Sequence, residues 1–356
     1  MSMKPIFKQR REWFGGVVYS EHPGYTAFVD SRRADSLGIP PSDDLPHGLY
    51  SAPLDVHIGL TTRCNLRCDG CYSHDKTQPQ VDMPFDRATA IIDHLAAMNV
   101  FTVSFGGGEP LLHPRVFDIA RHARSRNIAP NITTNGLMID SSTAEQCQIF
   151  GSLHLSCHDA NELDRLSQSV RHLKNCGIEP GLNVLVSVAT HSQLPKICCW
   201  ASGHKISRVL FLKFKLTDTN RQHSSMVLDS AQEQSLLSTI RKLSRKHGFM
   251  PLLDCSFFPI LALHSARKSD LKYFDVNGCL GGNAILAVTT DGQYKPCSFW
   301  PETFGEIESL DSDTWINDER LNGFRNGRQL EGCPQCDYED LCNGGCRVCD
   351  RQGCRA

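Results

Sequence analysis

Cysteine placement constrains this chain more than any other feature. Of 17 cysteines in 356 residues, three fall together at Cys64, Cys68 and Cys71, and eight lie between Cys279 and the C-terminus. An odd number of thiols cannot all pair into internal disulfides. The N-terminal run Met1-Ser-Met-Lys-Pro-Ile-Phe-Lys-Gln-Arg-Arg11 lacks the apolar core of about 7 to 15 residues that marks a secretory signal. The longest apolar stretches, such as Leu182 to Ala189, fall short of the roughly 18 residues that a membrane span needs. The expected location is therefore cytoplasmic and reducing, where clustered thiols bind metal or do redox chemistry rather than build a disulfide framework. Lys and Arg (37) nearly balance Asp and Glu (39), and 40% of the residues are apolar. That balance fits neither nucleic-acid binding through global charge nor disorder.

Between the two cysteine groups, short β-rich runs alternate with helical stretches. Leu54 to Leu60 precedes Pro84 to Asn99, and Phe101 to Phe105 precedes Pro114 to Arg126. Further strands are expected at Ala129 to Thr134, Ser152 to Cys157, Leu182 to Val188 and Val209 to Phe214, the last followed by a helix from about Asp229 to His247. Near-continuous apolar strands alternating with amphipathic helices imply parallel strands covered by helices. The expected fold class is α/β, a partial (β/α)6 barrel of the TIM type.

In such barrels chemistry sits on the loops at the C-terminal ends of the strands. Those positions hold Thr61-Thr-Arg-Cys-Asn-Leu-Arg-Cys-Asp-Gly-Cys71, then Gly106-Gly107-Gly108-Glu109-Pro110, then Thr133-Thr134-Asn135-Gly136, then Ser156-Cys-His-Asp159. All share one rim. The spacing Cys64-x3-Cys68-x2-Cys71 supplies three thiolates, one short of the four that fill a [4Fe-4S] cluster. One iron is then left to bind something else; buried thiols, or a zinc site with a distant fourth ligand, are the alternatives. The glycines allow close approach of backbone to a ligand, and Glu109 is a candidate acceptor for an ammonium group.

Together these residues resemble the radical S-adenosylmethionine (radical SAM) superfamily over about residues 54 to 250. The resemblance implies that Cys64, Cys68 and Cys71 hold a cluster whose fourth iron is chelated by S-adenosylmethionine. It places the methionine amine at Gly106, Gly107, Gly108 and Glu109, and ribose or carboxylate contacts at Thr134, Asn135 and Ser156. The family usually has an aromatic residue just before the third cysteine; this chain has Gly70 there and Tyr72 just after. The implied chemistry is reductive cleavage of S-adenosylmethionine to a 5′-deoxyadenosyl radical that abstracts hydrogen from a substrate.

The tail reads Cys279-x12-Gly292-x4-Cys297, then Cys333-x2-Cys336-x5-Cys342-x3-Cys346, then Cys349 and Cys354. Alone, such pairs suit closed zinc sites equally well. Attached to a radical SAM barrel, they resemble the SPASM extension, which holds two auxiliary iron-sulfur clusters, giving three [4Fe-4S] clusters in all. By that resemblance Cys279, Cys297 and Cys346 ligate the first auxiliary cluster. Cys333, Cys336, Cys342 and a final cysteine, Cys354 or its rival Cys349, ligate the second. The first cluster then lacks a ligand: Cys255 supplies it, or an iron stays open for substrate, with Cys255 a core thiol. Cys147, Cys157, Cys176, Cys198 and Cys199 read as buried small apolar residues.

Four segments follow from these assignments: 1–50 as an N-terminal β-hairpin and linker, 51–250 as the barrel, 251–278 as a connector and 279–356 as the auxiliary-cluster domain. The hairpin, Gly15 to Val29 around a Glu-His-Pro-Gly turn, is either a cap on the barrel or a site for a substrate leader peptide. His158 and Asp159 are rim candidates, and Lys213 and Lys215 are expected to be solvated or salt-bridged. The resemblance suggests a peptide or protein substrate that is crosslinked or oxidised, with a small molecule or tetrapyrrole as the alternative and a non-catalytic iron-sulfur or zinc protein as the remote one. A flavodoxin or ferredoxin is the expected electron donor.

Overall fold

The computed structural model describes residues 4–22, 24–42, 47–73, 79–263, 267–274, 278–326, 336–342 and 344–348. Cys333, Cys349 and Cys354 lie outside the described residues. Three N-terminal strands, β1 (Phe7–Glu12), β2 (Gly15–Ser20) and β3 (Tyr25–Asp30), form an antiparallel sheet. A second sheet of ten strands follows: β4 (Asp55–Thr61), β5 (Thr102–Gly107), β6 (Ala129–Thr134), β7 (Ser152–Cys157), β8 (Gly181–Val186), β9 (Arg208–Lys213), β10 (Met250–Leu253), β11 (Ile285–Val288), β12 (Gln293–Lys295) and β13 (Gly305–Glu306). Strands β4 to β10 are parallel neighbours in sequence order, and β11 pairs parallel with β4 at the other edge. The six expected strand-helix units are β4 to β9, an α/β partial barrel. The sheet extends past them: β10 falls where a connector is expected to begin, and β11 comes from the cysteine-rich region.

Helices cover the outside because alternate strand residues demand it. Val56, Ile58 and Leu60 of β4 are buried, and Ala88, Ile91, Ile92 and Leu95 of the helix Phe85–Ala97 supply a matching apolar stripe at i, i+3, i+4 and i+7. The opposite residues of the strands face the lumen and are polar: Asp55 and His57, Thr102 and Ser104, Asn131 and Thr133, His154 and Ser156. Closed barrels fill this space with branched apolar layers. Here the lining is left partly exposed.

The N-terminal segment is a three-stranded sheet, the expected hairpin (β2–β3) extended by β1. It closes the end of the barrel where strands begin. Arg10 donates to the Ala52 and Asn99 carbonyls and Lys8 to that of Val100, while the Arg10 guanidinium lies 5.0 Å from the Phe101 ring. Buried Glu21 pairs with Arg124 and accepts from the Ile6 amide at 2.8 Å. Burial pushes the Glu21 carboxyl up, but Arg124 more than offsets this and its pKa ends below the ordinary value. Its contribution to stability is therefore present above 4.5 and is lost as pH falls below that. Arg124→Ala leaves a buried unpaired carboxylate and costs about 3 kcal/mol. Urea titration at pH 7 measures the loss, which narrows towards pH 4; an unchanged midpoint would mean that the pair contributes nothing.

Residues beyond β11 dock on the opposite edge. The buried Trp315 donates from Nε1 to the Tyr50 carbonyl at 2.8 Å, and His94 bonds the Leu310 carbonyl at 2.9 Å. Among the described residues no helix is long and apolar enough to cross a membrane.

Candidate functional site

The loop after β4 brings Cys64, Cys68 and Cys71 together at the barrel rim. Each of the three is partly buried. Burial is the main cause that raises the Cys68 thiol to about 11, with Cys71 adding to it, and Cys64 is raised by burial and then by Glu109. Crowded, buried thiols hold their protons until a cation takes their place. Among the described residues no three His, Cys, Asp or Glu side chains form a group that could hold a single metal ion. What the loop offers is three thiols near one another, spaced along one strand-end loop, with a glycine stretch alongside.

That stretch is pressed against the loop. The Gly108 amide donates to the Thr61 carbonyl at 2.7 Å and the Glu109 amide to the Arg63 carbonyl at 2.8 Å. Gly107 has φ +111°, and a Cβ on Gly108 would stand 2.0 Å from the Arg63 carbonyl oxygen, so neither position admits a side chain. Glu109 is 1% exposed. Its carboxylate accepts from Thr134 Oγ1 (2.7 Å), the Asn135 amide (2.8 Å) and the Leu111 amide (3.1 Å). Burial raises its pKa, and these donors oppose the rise. All three donors are the chain's own and form a clamp; a carboxylate offers about four acceptor positions, so the three bonds leave room for the ammonium group that the sequence suggests. Glu109→Ala orphans three buried donors at about 1 kcal/mol or more each. The expected outcome is at least about tenfold weaker S-adenosylmethionine binding, read by equilibrium dialysis of the reconstituted protein; unchanged affinity would mean that the clamp does not shape the site.

Thr134 and Asn135 join the same network. Asn135 Nδ2 donates to Asn65 Oδ1 at 2.7 Å, tying the end of β6 to the residue after Cys64, and Arg165 donates to the Asn135 carbonyl. Asn65 and Arg165 carry no motif, and sequence reading misses both. Ser156 lies at the end of β7, partly buried. Asp159 caps the short turn Ala160–Glu162, and the His158 amide donates to Glu162, so both serve the loop locally.

The aromatic place beside the third cysteine is filled from elsewhere. The Phe214 ring packs onto Gly70, 2.4 Å from where a Cβ would stand. Tyr72 turns toward the C-terminal region and stacks on Phe299, centroids 4.0 Å apart. Lys215 lies 4.4 Å over the same ring and pairs with Asp254, and Lys213 stands 3.5 Å from Glu233.

Four tail-side thiols converge. Cys255 donates to Cys279 and Cys346, which raises its own pKa well above the ordinary value and pulls Cys279 down to about 7 against burial. Cys297 is pushed up to about 11 by burial, with Cys279 and Cys346 also raising it. The Cys342 carbonyl lies against Gly278, next to Cys279 in the chain. Of the thiols expected to be core residues, Cys147, Cys157 and Cys198 are buried; Cys176 is partly buried and Cys199 exposed.

Residues 58–179, which hold the thiol loop and the glycine stretch, match the sequence profile "Radical SAM superfamily". The chain is 26% identical to Fe-coproporphyrin III synthase of Methanosarcina barkeri, over 87% of this chain and 90% of that protein. It is 24% identical to the mycofactocin maturase MftC of Mycobacterium tuberculosis, over 83% of this chain and 78% of that protein. In fold it resembles SuiB of Streptococcus suis, solved bound to its precursor peptide SuiA, with TM-score 0.78 and 18% identity over 100% of this chain and 99% of that one.

Proposed function

We propose that this radical SAM enzyme modifies a peptide or protein side chain, producing a crosslink or an oxidation. The observation that carries the reading is that four of the cations at the barrel mouth are already paired, although Arg67 on the thiol loop is exposed. Lys213, Lys215, Arg63 and Arg165 each already have a partner: Glu233, Asp254, Asp82, and Glu162 with the Asn135 carbonyl. A porphyrin bearing several carboxylates needs cations to meet them, whereas a peptide needs the hydroxyl, amide and imidazole groups that line this lumen. The likeness to SuiB, which binds a precursor peptide, points the same way.

Cys64, Cys68 and Cys71 hold the S-adenosylmethionine cluster in this reading. Cys255, Cys279, Cys297 and Cys346 hold the first auxiliary cluster, and Cys336 and Cys342, with Cys333 and Cys354, hold the second. Cys255 completes a four-thiol set, which leaves no place on that cluster for a substrate thiolate. When bound, these groups supply a 5′-deoxyadenosyl radical for hydrogen abstraction and an acceptor for the second electron, exchanged with a flavodoxin or ferredoxin. The chain's own residues bind and shield. Gly106, Gly107 and Gly108 offer backbone to the methionine end of S-adenosylmethionine; Glu109, Thr134 and Asn135 fix that backbone. Ser156 faces the substrate side, and Phe214 stands in for the missing aromatic at residue 70.

Similarity to Fe-coproporphyrin III synthase favours a tetrapyrrole as the second reading. Anaerobic turnover of the reconstituted enzyme with a short peptide containing cysteine and aromatic residues, and separately with Fe-coproporphyrin III, distinguishes them by mass spectrometry. A mass change in the peptide supports the proposal; a change in the porphyrin alone overturns it.

A further inference from the structure

Two buried side-chain donors have no partner among the described residues, Trp300 Nε1 and Arg325 Nη2. Both stand on one wall beside the tail-side thiols. The Trp300 amide donates to the Cys297 carbonyl at 3.1 Å and toward the Cys297 sulfur. Its indole meets the Phe324 ring edge to face, centroids 5.0 Å apart, and Phe324 lies 3.1 Å from where a Cβ on Gly281 would stand. The Gly281 amide in turn donates toward the Cys279 sulfur. Arg325, the residue after Phe324, bonds the Gly282 carbonyl through Nε and Asn322 through Nη1, with its guanidinium 4.5 Å over the Trp315 ring.

A buried donor left without a partner costs about 1 to 3 kcal/mol, so two on one wall call for an acceptor that belongs there. Arg325 adds a desolvated charge: burial lowers its pKa to about 10, with Asp318 opposing the fall, and it stays cationic at neutral pH. The chain's own thiol sulfurs are already engaged, Cys279 by Cys255 and the Gly281 amide and Cys297 by two main-chain amides. A zinc ion among these thiols adds no acceptor of its own. A [4Fe-4S] cluster adds sulfides, which accept hydrogen bonds. The donor set of this wall therefore fits a cluster better than a lone metal ion.

We propose that Trp300 Nε1 donates to a sulfur of the first auxiliary cluster and that Arg325 sets its charge beside it, so that the two favour the reduced cluster. Hydrogen bonds to the sulfurs and net charge set the potential of such clusters. Reduction adds one electron and one negative charge, which a donor and a cation stabilise; no proton is taken up and no bond breaks. Neither residue is a ligand. The inference rests on the proposed ligand set Cys255, Cys279, Cys297 and Cys346.

The test is a redox titration of the reconstituted holoenzyme followed by electron paramagnetic resonance, the first auxiliary cluster being the signal that Cys255→Ala loses. Trp300→Phe keeps an aromatic ring and removes the donor, and is expected to move the reduction equilibrium about tenfold toward the oxidised form, about 59 mV. Arg325→Gln is expected to move it several-fold in the same direction. The signal perturbed by S-adenosylmethionine should stay in place in both variants, which general loosening would not allow. Wild-type protein labelled with the heavy nitrogen isotope at its indole nitrogens should show a nitrogen coupling to the first auxiliary cluster in pulsed spectra, and this decides the matter where a variant fails to take up iron. No indole coupling in the wild type, or unshifted equilibria in both variants at full iron content, overturns the inference alone. Zinc at the four thiols, or no signal lost in Cys255→Ala, overturns the proposed ligand set and this inference with it.

Discussion

Cys68→Ala protein, reconstituted anaerobically, is expected to hold about eight irons per chain, against about twelve expected for the wild type, and to form no 5′-deoxyadenosine. The reason is geometric. Cys64, Cys68 and Cys71 sit on one loop whose backbone is bonded to Gly108 and Glu109, so a cluster at that loop has three thiol ligands and little freedom to recruit another. Loss of one leaves two, too few for a four-iron cluster with an open position. The tail-side thiols stand on other elements, Cys255 after β10, Cys279 before β11 and Cys297 after β12, and their irons should remain. Electron paramagnetic resonance of the reduced variant should keep the auxiliary signals and lose the one perturbed by S-adenosylmethionine. Retained cleavage of S-adenosylmethionine would refute the assignment of the loop.

Cys255→Ala should separate the two halves of the chemistry. Cys255 is the donor that links Cys279 with Cys346, and its removal leaves three thiols around the first auxiliary site. About four irons should be lost, together with product formation, while 5′-deoxyadenosine continues to appear because the barrel rim is untouched. Iron analysis and chromatography of the nucleoside read both outcomes in one sample. Full iron content in this variant would make Cys255 a core thiol and return the open-iron alternative. Serine at the same position keeps an oxygen ligand and should retain part of the iron, a result that general misfolding would not give.

Much of this architecture is legible in the residues. β4 to β9 follow from β-rich runs spaced by helical stretches, and the rim follows from reading only the residues after each run. The lumen is harder to see. Val56, Ile58 and Leu60 make β4 look like a buried parallel strand, and the alternating Asp55 and His57 gain meaning only once the barrel is known to be open. β1 is missed because Phe7–Glu12 is mostly charged; Lys8, Arg10 and Glu12 are buried against the barrel floor, where Lys8 and Arg10 meet main-chain carbonyls and Glu12 meets Arg10 and Ser51. β10 and β11 have four residues each, too few for a pattern to stand out.

Site details show the same limit. The type and spacing of Cys64, Cys68 and Cys71 suffice to place a cluster loop, because those ligands are local. Gathering Cys255 with Cys279, Cys297 and Cys346, or Phe214 with Gly70, depends on tertiary contacts that no local spacing encodes. Glu109 is visible as a rim residue, yet its commitment to Thr134, Asn135 and Leu111 appears only when the ends of β5 and β6 are seen side by side.

The most direct measurement is iron and sulfide per chain after anaerobic reconstitution, with 5′-deoxyadenosine assayed in the same sample on addition of reductant and S-adenosylmethionine. About twelve irons with matching sulfide and formation of the nucleoside are the expected result. About four irons with zinc in the tail, or full iron loading without the nucleoside, would contradict a three-cluster radical SAM enzyme.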